Sequence, residues 1–175
     1  MLKRFLLILC LLFFAAGAAS AKGINLFAYS RRVPEDAFYT PYGQAHRLQD
    51  FSGDFLIVVF WSKTCIPCIR ELDNLDGFVK KTRDNGVKVI LLSPEKDWAT
   101  PEEQQNFLRR YGAYDVEFYV DRDAKLAKAF GIFTSPHAVL IDKNSMEIGR
   151  ISGAVEWDDD DVVEKIYQIK AQNGR

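Results

Sequence analysis

Phe55-Leu56-Ile57-Val58-Val59-Phe60-Trp61-Ser62-Lys63-Thr64-Cys65-Ile66-Pro67-Cys68 is the stretch on which the reading of this chain turns. Its first seven residues are apolar without alternation, as a parallel strand buried on both faces of a layered sheet requires. Cys65 then opens a helix. There the unpaired backbone N–H groups and the positive end of the helix dipole favour a thiolate over a thiol, which marks Cys65 as the attacking sulfur. Pro67 falls in the first turn, where a missing N–H costs nothing, and Cys68 is spaced to close or resolve a disulfide with Cys65. The pair reads as a redox switch. Half of a zinc site is the alternative for such a spacing, but it needs further ligands, and only His46 and His137, both distant in sequence, are at hand.

The regular structure expected around this stretch is α/β. Ile69, Leu72, Leu75 and Val79 recur at helical spacing after the cysteines, with Asn85-Gly86 as the stop. Val87 to Leu92 is a second buried strand, parallel to the first across that helix. Thr100-Pro101-Glu102-Glu103 has capping-box spacing with proline at the first position, and starts a helix that runs to about Tyr111 and stops at Gly112. Val116 to Val120, Ala138 to Ile141 and Glu147 to Ile151 read as further strands, the last two joined as a hairpin by Lys143-Asn144-Ser145. Ala124 to Phe130 is a short helix, and Val162, Val163, Ile166 and Ile169 mark a closing one. Upstream, Gly43 to Gly53 gives a turn, a brief strand and a tight approach to Phe55. Lys22 to about Pro41 gives only loops and one short strand.

The N-terminus runs Met1-Leu2-Lys3-Arg4, then apolar from Phe5 to Ala16, then Ala19-Ser20-Ala21, the pattern of an export signal cleaved after Ala21. An uncleaved anchoring helix is the alternative, although Gly17 interrupts an apolar run already short against the roughly 20 residues of a spanning helix. Cys10 would leave with the signal. Residues 22–175 then form one domain. Losing Lys3 and Arg4 takes the formal charge from −1 to −3 with no basic cluster, so neither nucleic acid nor an anionic membrane surface is an implied partner. Keeping one closely spaced cysteine pair in an oxidising compartment suits a catalytic dithiol better than a structural staple.

Phe60-Trp61-Ser62-Lys63-Thr64-Cys65-Ile66-Pro67-Cys68, the later Thr134-Ser135-Pro136-His137-Ala138-Val139-Leu140-Ile141-Asp142 and the closing hairpin and helix together resemble the thioredoxin superfamily. They are most similar to its exported TlpA/ResA-like thiol-disulfide oxidoreductases, over about residues 37–168. The lead-in from Gly43 to Gly53, the extra strand and helix between Leu92 and Phe130, and Glu71 three residues after Cys68 point to that branch. The resemblance implies a thioredoxin-like fold: a central mixed sheet flanked by helices, with an N-terminal extension and an inserted strand–helix element.

It also implies a cis Pro136 packed across from the cysteines, which would expose the Ser135 backbone for strand-like pairing with a substrate. Trp61 would be an aromatic wall below the site. Glu71, on the helical face of Cys68, Leu72 and Leu75, would take and return the proton of the less accessible thiol, a solvated helix glutamate being the alternative. Val59 stands where thioredoxin itself carries a buried aspartate. Thr64 replaces the family's usual tryptophan, and Leu72-Asp73 its usual continuation after the glutamate, which weakens any carry-over of substrate preference. His137 reads as a structural residue beside the site, and Asp158 to Asp161 as the cap and first turn of the last helix rather than a metal site.

The expectation is therefore an extracytoplasmic or periplasmic enzyme that exchanges its dithiol with protein thiols and disulfides of the envelope, without a cofactor or metal. By the resemblance it works in the reducing direction, including cytochrome c maturation, and draws electrons from a membrane-embedded donor. A copper module using Cys65, Cys68 and His137 is one competing function. A thiol peroxidase with antioxidant activity, suggested by Ser62 three residues before Cys65, is another, though Val58 stands where that family has a proline.

Overall fold

The computed structural model describes residues 23–173, so the signal segment expected over 1–21 lies outside the described residues. The elements follow in the order β1 (Ile24–Arg32), β2 (Phe38–Tyr39), β3 (Ala45–His46), β4 (Phe55–Phe60), α1 (Ile66–Arg70), α2 (Leu72–Thr82), β5 (Val87–Pro94), α3 (Pro101–Arg110), β6 (Glu117–Asp121), α4 (Lys125–Ala129), β7 (His137–Ile141), β8 (Met146–Ser152) and α5 (Asp160–Asn173). The strands join in one mixed sheet, ordered β1-β8-β7-β4-β5-β6-β2-β3. This is a thioredoxin-like fold.

β4 lies at its centre because all six of its residues are buried and apolar. Phe55, Ile57 and Val59 face a core shared with Leu72, Leu75 and Phe78 of α2, Leu108 of α3 and Ile166 and Ile169 of α5. Leu56, Val58 and Phe60 face a second core with Phe38, Leu126, Phe130 and Ile132. Burying each such side chain contributes about 1.5–3 kcal/mol before chain entropy is counted, so the two cores fix β4 from both faces. It pairs parallel with β5 and antiparallel with β7, and the register sets Phe60 against Leu92 on one side and His137 on the other. Asp76 of α2 accepts the backbone N–H groups of Tyr114, Asp115 and Val116 at 2.8, 2.6 and 3.2 Å, fastening the inserted element to the helix.

Two features depart from expectation. The helix after the cysteines is broken at Glu71, whose φ of −91° and ψ of −3° make it the C-cap of α1 and the N-cap of α2. Periodicity cannot show such a break, because Leu72 and Leu75 keep helical spacing across it. The N-terminal extension is also a nine-residue edge strand rather than loops with one short strand. β1 is exposed along nearly its whole length, so it carries no apolar alternation, and its antiparallel ladder to β8 holds it.

Gly149 permits that ladder. A Cβ there would stand 2.7 Å from the Asn25 carbonyl oxygen and 3.2 Å from Leu26 Cα, contacts that backbone cannot yield without moving. Gly149→Ala is therefore expected to lift β1 from β8 and cost about 1–3 kcal/mol, as overpacking does. Limited proteolysis checks this: cleavage should accelerate within residues 24–32 while the thermal transition of the remaining core persists. Equal cleavage rates in both proteins would refute it.

Candidate active site

The end of β4 delivers its chain directly into the cysteine pair. Trp61 N–H still extends the ladder to the Leu92 carbonyl at 3.1 Å, and four residues later Cys65 N–H closes a turn on the Ser62 carbonyl, also at 3.1 Å. Cys65 is the N-cap of α1, with extended backbone and its Sγ accepting the Cys68 N–H at 3.3 Å. An amide aimed at Sγ is the interaction a thiolate there would use. Pro67 in the first helical turn leaves no donor unsatisfied.

Cys65 and Cys68 are joined as a disulfide with their Cα atoms 5.3 Å apart. The two sulfurs differ in access: Cys68 is 1% exposed, whereas Cys65 is half-buried. Ile66 and Pro67 beside it are exposed.

Glu71 lies at the break between α1 and α2, 4% exposed. Its Oε2 accepts the Val155 N–H at 3.0 Å, from the loop that joins β8 to α5. The neighbouring Trp157 indole N–H also favours the charged form, though it falls outside full hydrogen-bond geometry. Burial outweighs both, with a smaller push from Glu156, and the carboxyl is raised to about 7. A solvated helix glutamate would not behave so. Asn74 ties the same loop down by accepting the Trp157 N–H at 3.3 Å and donating to Glu156 at 2.8 Å.

The Ser135–Pro136 bond is cis. Because Phe60 pairs with His137, the register sets Pro136 alongside Trp61 at the end of β4. Pro136 is buried and Ser135 exposed, and the Pro136 carbonyl accepts the Gly153 N–H at 3.1 Å. The loop from Gly153 to Trp157 thus touches both the proline and Glu71. Ser135, Thr134, Phe133, Ser62 and Trp61 line one cavity of about 260 Å³. Trp61 is only 2% exposed and packs on Trp98 and Phe107, so it meets that cavity from below.

His137 is half-buried, and its pKa is lowered by burial and then by the nearby Arg150, with Glu147 opposing. Its Nδ1 lies 3.4 Å from Ser152 Oγ. Among the described residues no three His, Cys, Asp or Glu side chains gather as a group that could hold a metal ion. The acidic run from Asp158 contributes Asp160 and Asp161 to the first turn of α5, with Asp160 paired to Lys81 at 2.9 Å. Val155, Trp157, Asn74 and Asp97, all at or near the site, escaped the sequence reading. None stands in a motif: Val155 and Trp157 come from the loop before α5 and Asp97 from the turn after β5, while Asn74 of α2 reaches the site through its bonds to the first of these loops.

The comparisons agree with this geometry. Thiol-disulfide oxidoreductase ResA of Bacillus thuringiensis subsp. konkukian is 30% identical over 113 residues, covering 63% of this chain and 62% of that protein. The chain thus spans less than two thirds of the length of the curated relatives it matches. Among solved structures, the thioredoxin domain of a Bacteroides vulgatus thiol-disulfide oxidoreductase superposes with a TM-score of 0.66 at 18% identity, over 82% of this chain and 99% of that one. A secreted Mycobacterium tuberculosis disulfide oxidoreductase homologous to E. coli DsbE gives 0.59 at 14% identity, over 75% and 96%. At such identities the likeness is one of fold. The family model described as AhpC/TSA matches residues 30–148, which include β4, both cysteines, Glu71 and the cis-proline, and the chain accordingly belongs to the AhpC/TSA family of the thioredoxin superfamily.

Proposed function

We propose that this protein is an exported thiol-disulfide oxidoreductase that uses Cys65 and Cys68 to reduce disulfides of protein partners. The single observation that carries the reading is the unequal access of the two sulfurs in one disulfide: Cys65 half-buried and capped by an amide, Cys68 sealed behind it. In the reduced protein the Cys65 thiolate attacks a substrate disulfide, forming a mixed disulfide and expelling one substrate thiolate. Cys68 gives up its proton and attacks Cys65 Sγ. The second substrate thiol then leaves, and the protein retains the disulfide while two electrons have passed to the substrate.

Glu71, raised to about 7, is the group assigned to take the Cys68 proton and return it in the next cycle. The exposed Ser135 backbone, Trp61 in the lining of the same cavity, and the cis Pro136 that sets the Ser135 backbone are assigned to the substrate chain. Residues 1–21 are assigned as a signal peptide and 22–175 as one domain working outside the cytoplasm, in keeping with the secreted fold relative. Among the described residues no helix is long and apolar enough to cross a membrane. The relatives named thiol-disulfide oxidoreductase ResA support thiol–disulfide exchange with protein partners; cytochrome c maturation as its setting and a membrane-embedded electron donor are assigned from the resemblance of the sequence motifs alone.

The reducing direction is tested by potential and by substrate. Equilibration with glutathione is expected to give a potential below about −200 mV, on the reducing side of the known oxidants. The dithiol should also reduce a disulfide-bonded Cys-x-x-Cys-His peptide of the kind that attaches haem c. A potential near about −120 mV, with net oxidation of peptide thiols, would reverse the direction.

A further inference from the structure

The inserted segment between β5 and β6 sends a carboxylate beneath the loop that carries Cys65. Asp97, in the single turn Glu95–Asp97 after β5, accepts through Oδ2 the Ser62 hydroxyl at 2.8 Å and the Lys63 backbone N–H at 3.3 Å. Ser62 Oγ accepts the Thr64 N–H at 3.3 Å and lies 3.0 Å from the Thr64 hydroxyl. A serine hydroxyl has one hydrogen, and this one points to Asp97, so the Thr64 hydroxyl is the donor of the pair. The chain of hydroxyls therefore runs one way, from Thr64 through Ser62 to the carboxylate. With Cys65 N–H on the Ser62 carbonyl, the turn from Ser62 to Cys65 is held by both its backbone and its side chains.

The surrounding charges leave Asp97 facing this turn. Its two partners are a neutral hydroxyl and a neutral amide. Lys63, the cation of the turn itself, is drawn outward, its Nζ 2.9 Å from Glu103 of α3 and 5.0 Å from the Trp98 ring centre, and Lys96, the neighbour of Asp97 in sequence, is exposed to solvent. A fixed negative charge behind the turn opposes a thiolate at Cys65 and leaves an uncharged disulfide unaffected. It therefore shifts the balance toward the disulfide and makes the dithiol a stronger reductant. The same hydrogen bonds commit the Ser62 hydroxyl to a structural partner, the residue whose spacing from Cys65 suggested peroxidase chemistry.

We infer that Asp97 is a positioning residue for thiol-disulfide exchange: it holds the Ser62–Thr64 turn that presents Cys65, and its charge biases the cysteine pair toward reducing its substrates. This rests on Cys65 being the nucleophile.

The test is equilibration of the full protein with glutathione. In it two glutathione thiols give two electrons and two protons to the Cys65–Cys68 disulfide and leave as glutathione disulfide. Asp97→Asn and Asp97→Ala both remove the charge and should shift this equilibrium about threefold toward the dithiol, the size expected of a screened charge interaction. Asp97→Ala also removes the acceptor and should slow disulfide exchange about fivefold, a larger loss than with Asn, as expected for a turn that loses one or two hydrogen bonds. Ser62→Ala should slow exchange like Asp97→Ala while leaving the equilibrium within about twofold, because Lys63 N–H still holds the carboxylate. An unmoved equilibrium in Asp97→Asn, or a shift toward the disulfide, overturns the inference while the wild type still exchanges. A wild type whose exchange survives Cys65→Ser overturns the reading of the nucleophile instead.

Discussion

Cys68→Ser is expected to stop the reaction halfway and accumulate the protein covalently bound to its substrate. With Cys68 sealed in the core at 1% exposure, the sulfur that reaches an outside disulfide is Cys65. Once Cys65 has attacked, only an attack on Cys65 Sγ from within the protein completes turnover, and serine cannot make it. Mass spectrometry under non-reducing conditions should show most of the Cys68→Ser protein carrying one substrate after mixing with an oxidised peptide. Cys65→Ser should carry none and reduce peptide at the background rate. Trapping through Cys65→Ser instead would interchange the two roles. The exposed Ile66 and Pro67 leave the approach to Cys65 open, so steric exclusion of a peptide is not expected to mask the result.

The second large effect concerns Glu71, and it reaches stability as well as rate. Burial raises its pKa from 4.5 to about 7 in the folded disulfide form. Between those two values the folded protein holds a proton that the unfolded chain has released. Stability therefore falls as pH rises across the window, by up to about 3 kcal/mol, and the loss is complete above about pH 7. Glu71→Gln keeps an acceptor for the Val155 N–H but cannot ionise. It should flatten this slope, so that the variant is the more stable protein at pH 8 and close to wild type at pH 4. Urea unfolding at the two pH values measures this.

The kinetic consequence of the same substitution has the opposite sign. Removing the group proposed to accept the Cys68 proton should slow release of the mixed disulfide by about 10²-fold, the lower range for a general base, and abolish the inflection near pH 7 in the stopped-flow profile. A variant that gains stability at pH 8 while losing rate separates a proton-transfer role from a packing role, since packing damage would lower both. Superimposable rate profiles would return the carboxylate to a structural part.

Much of the fold was legible in the chain because its decisive signals are local. An uninterrupted apolar run of seven residues, from Phe55 to Trp61, buries on both faces only at the centre of a sheet, where its first six form β4. The Thr100-Pro101 start of α3 is seen as read, with the Thr100 hydroxyl accepting the Glu103 N–H at 3.1 Å. The edge strand β1 was not legible, since an exposed strand held by backbone ladder bonds has no preferred side-chain pattern, and its partner glycine lies more than a hundred residues away.

The site divides along the same line. The sequence alone determined the cysteine pair, its place at a helix start after a buried strand, and the likeness that singled out Pro136 and Glu71, because these depend on spacing along one chain segment. Only the tertiary structure decided that Glu71 is buried, for periodicity places a residue on a helix face without saying what covers that face. Here the cover is the loop carrying Val155 and Trp157, more than eighty residues downstream. Asp97 reaches Ser62 in the same way, from a neighbouring strand end 35 positions away. Desolvation and hydrogen-bond pairing are properties of what surrounds a group, and in this protein those surroundings come from loops that no local pattern in the sequence connects to the cysteines.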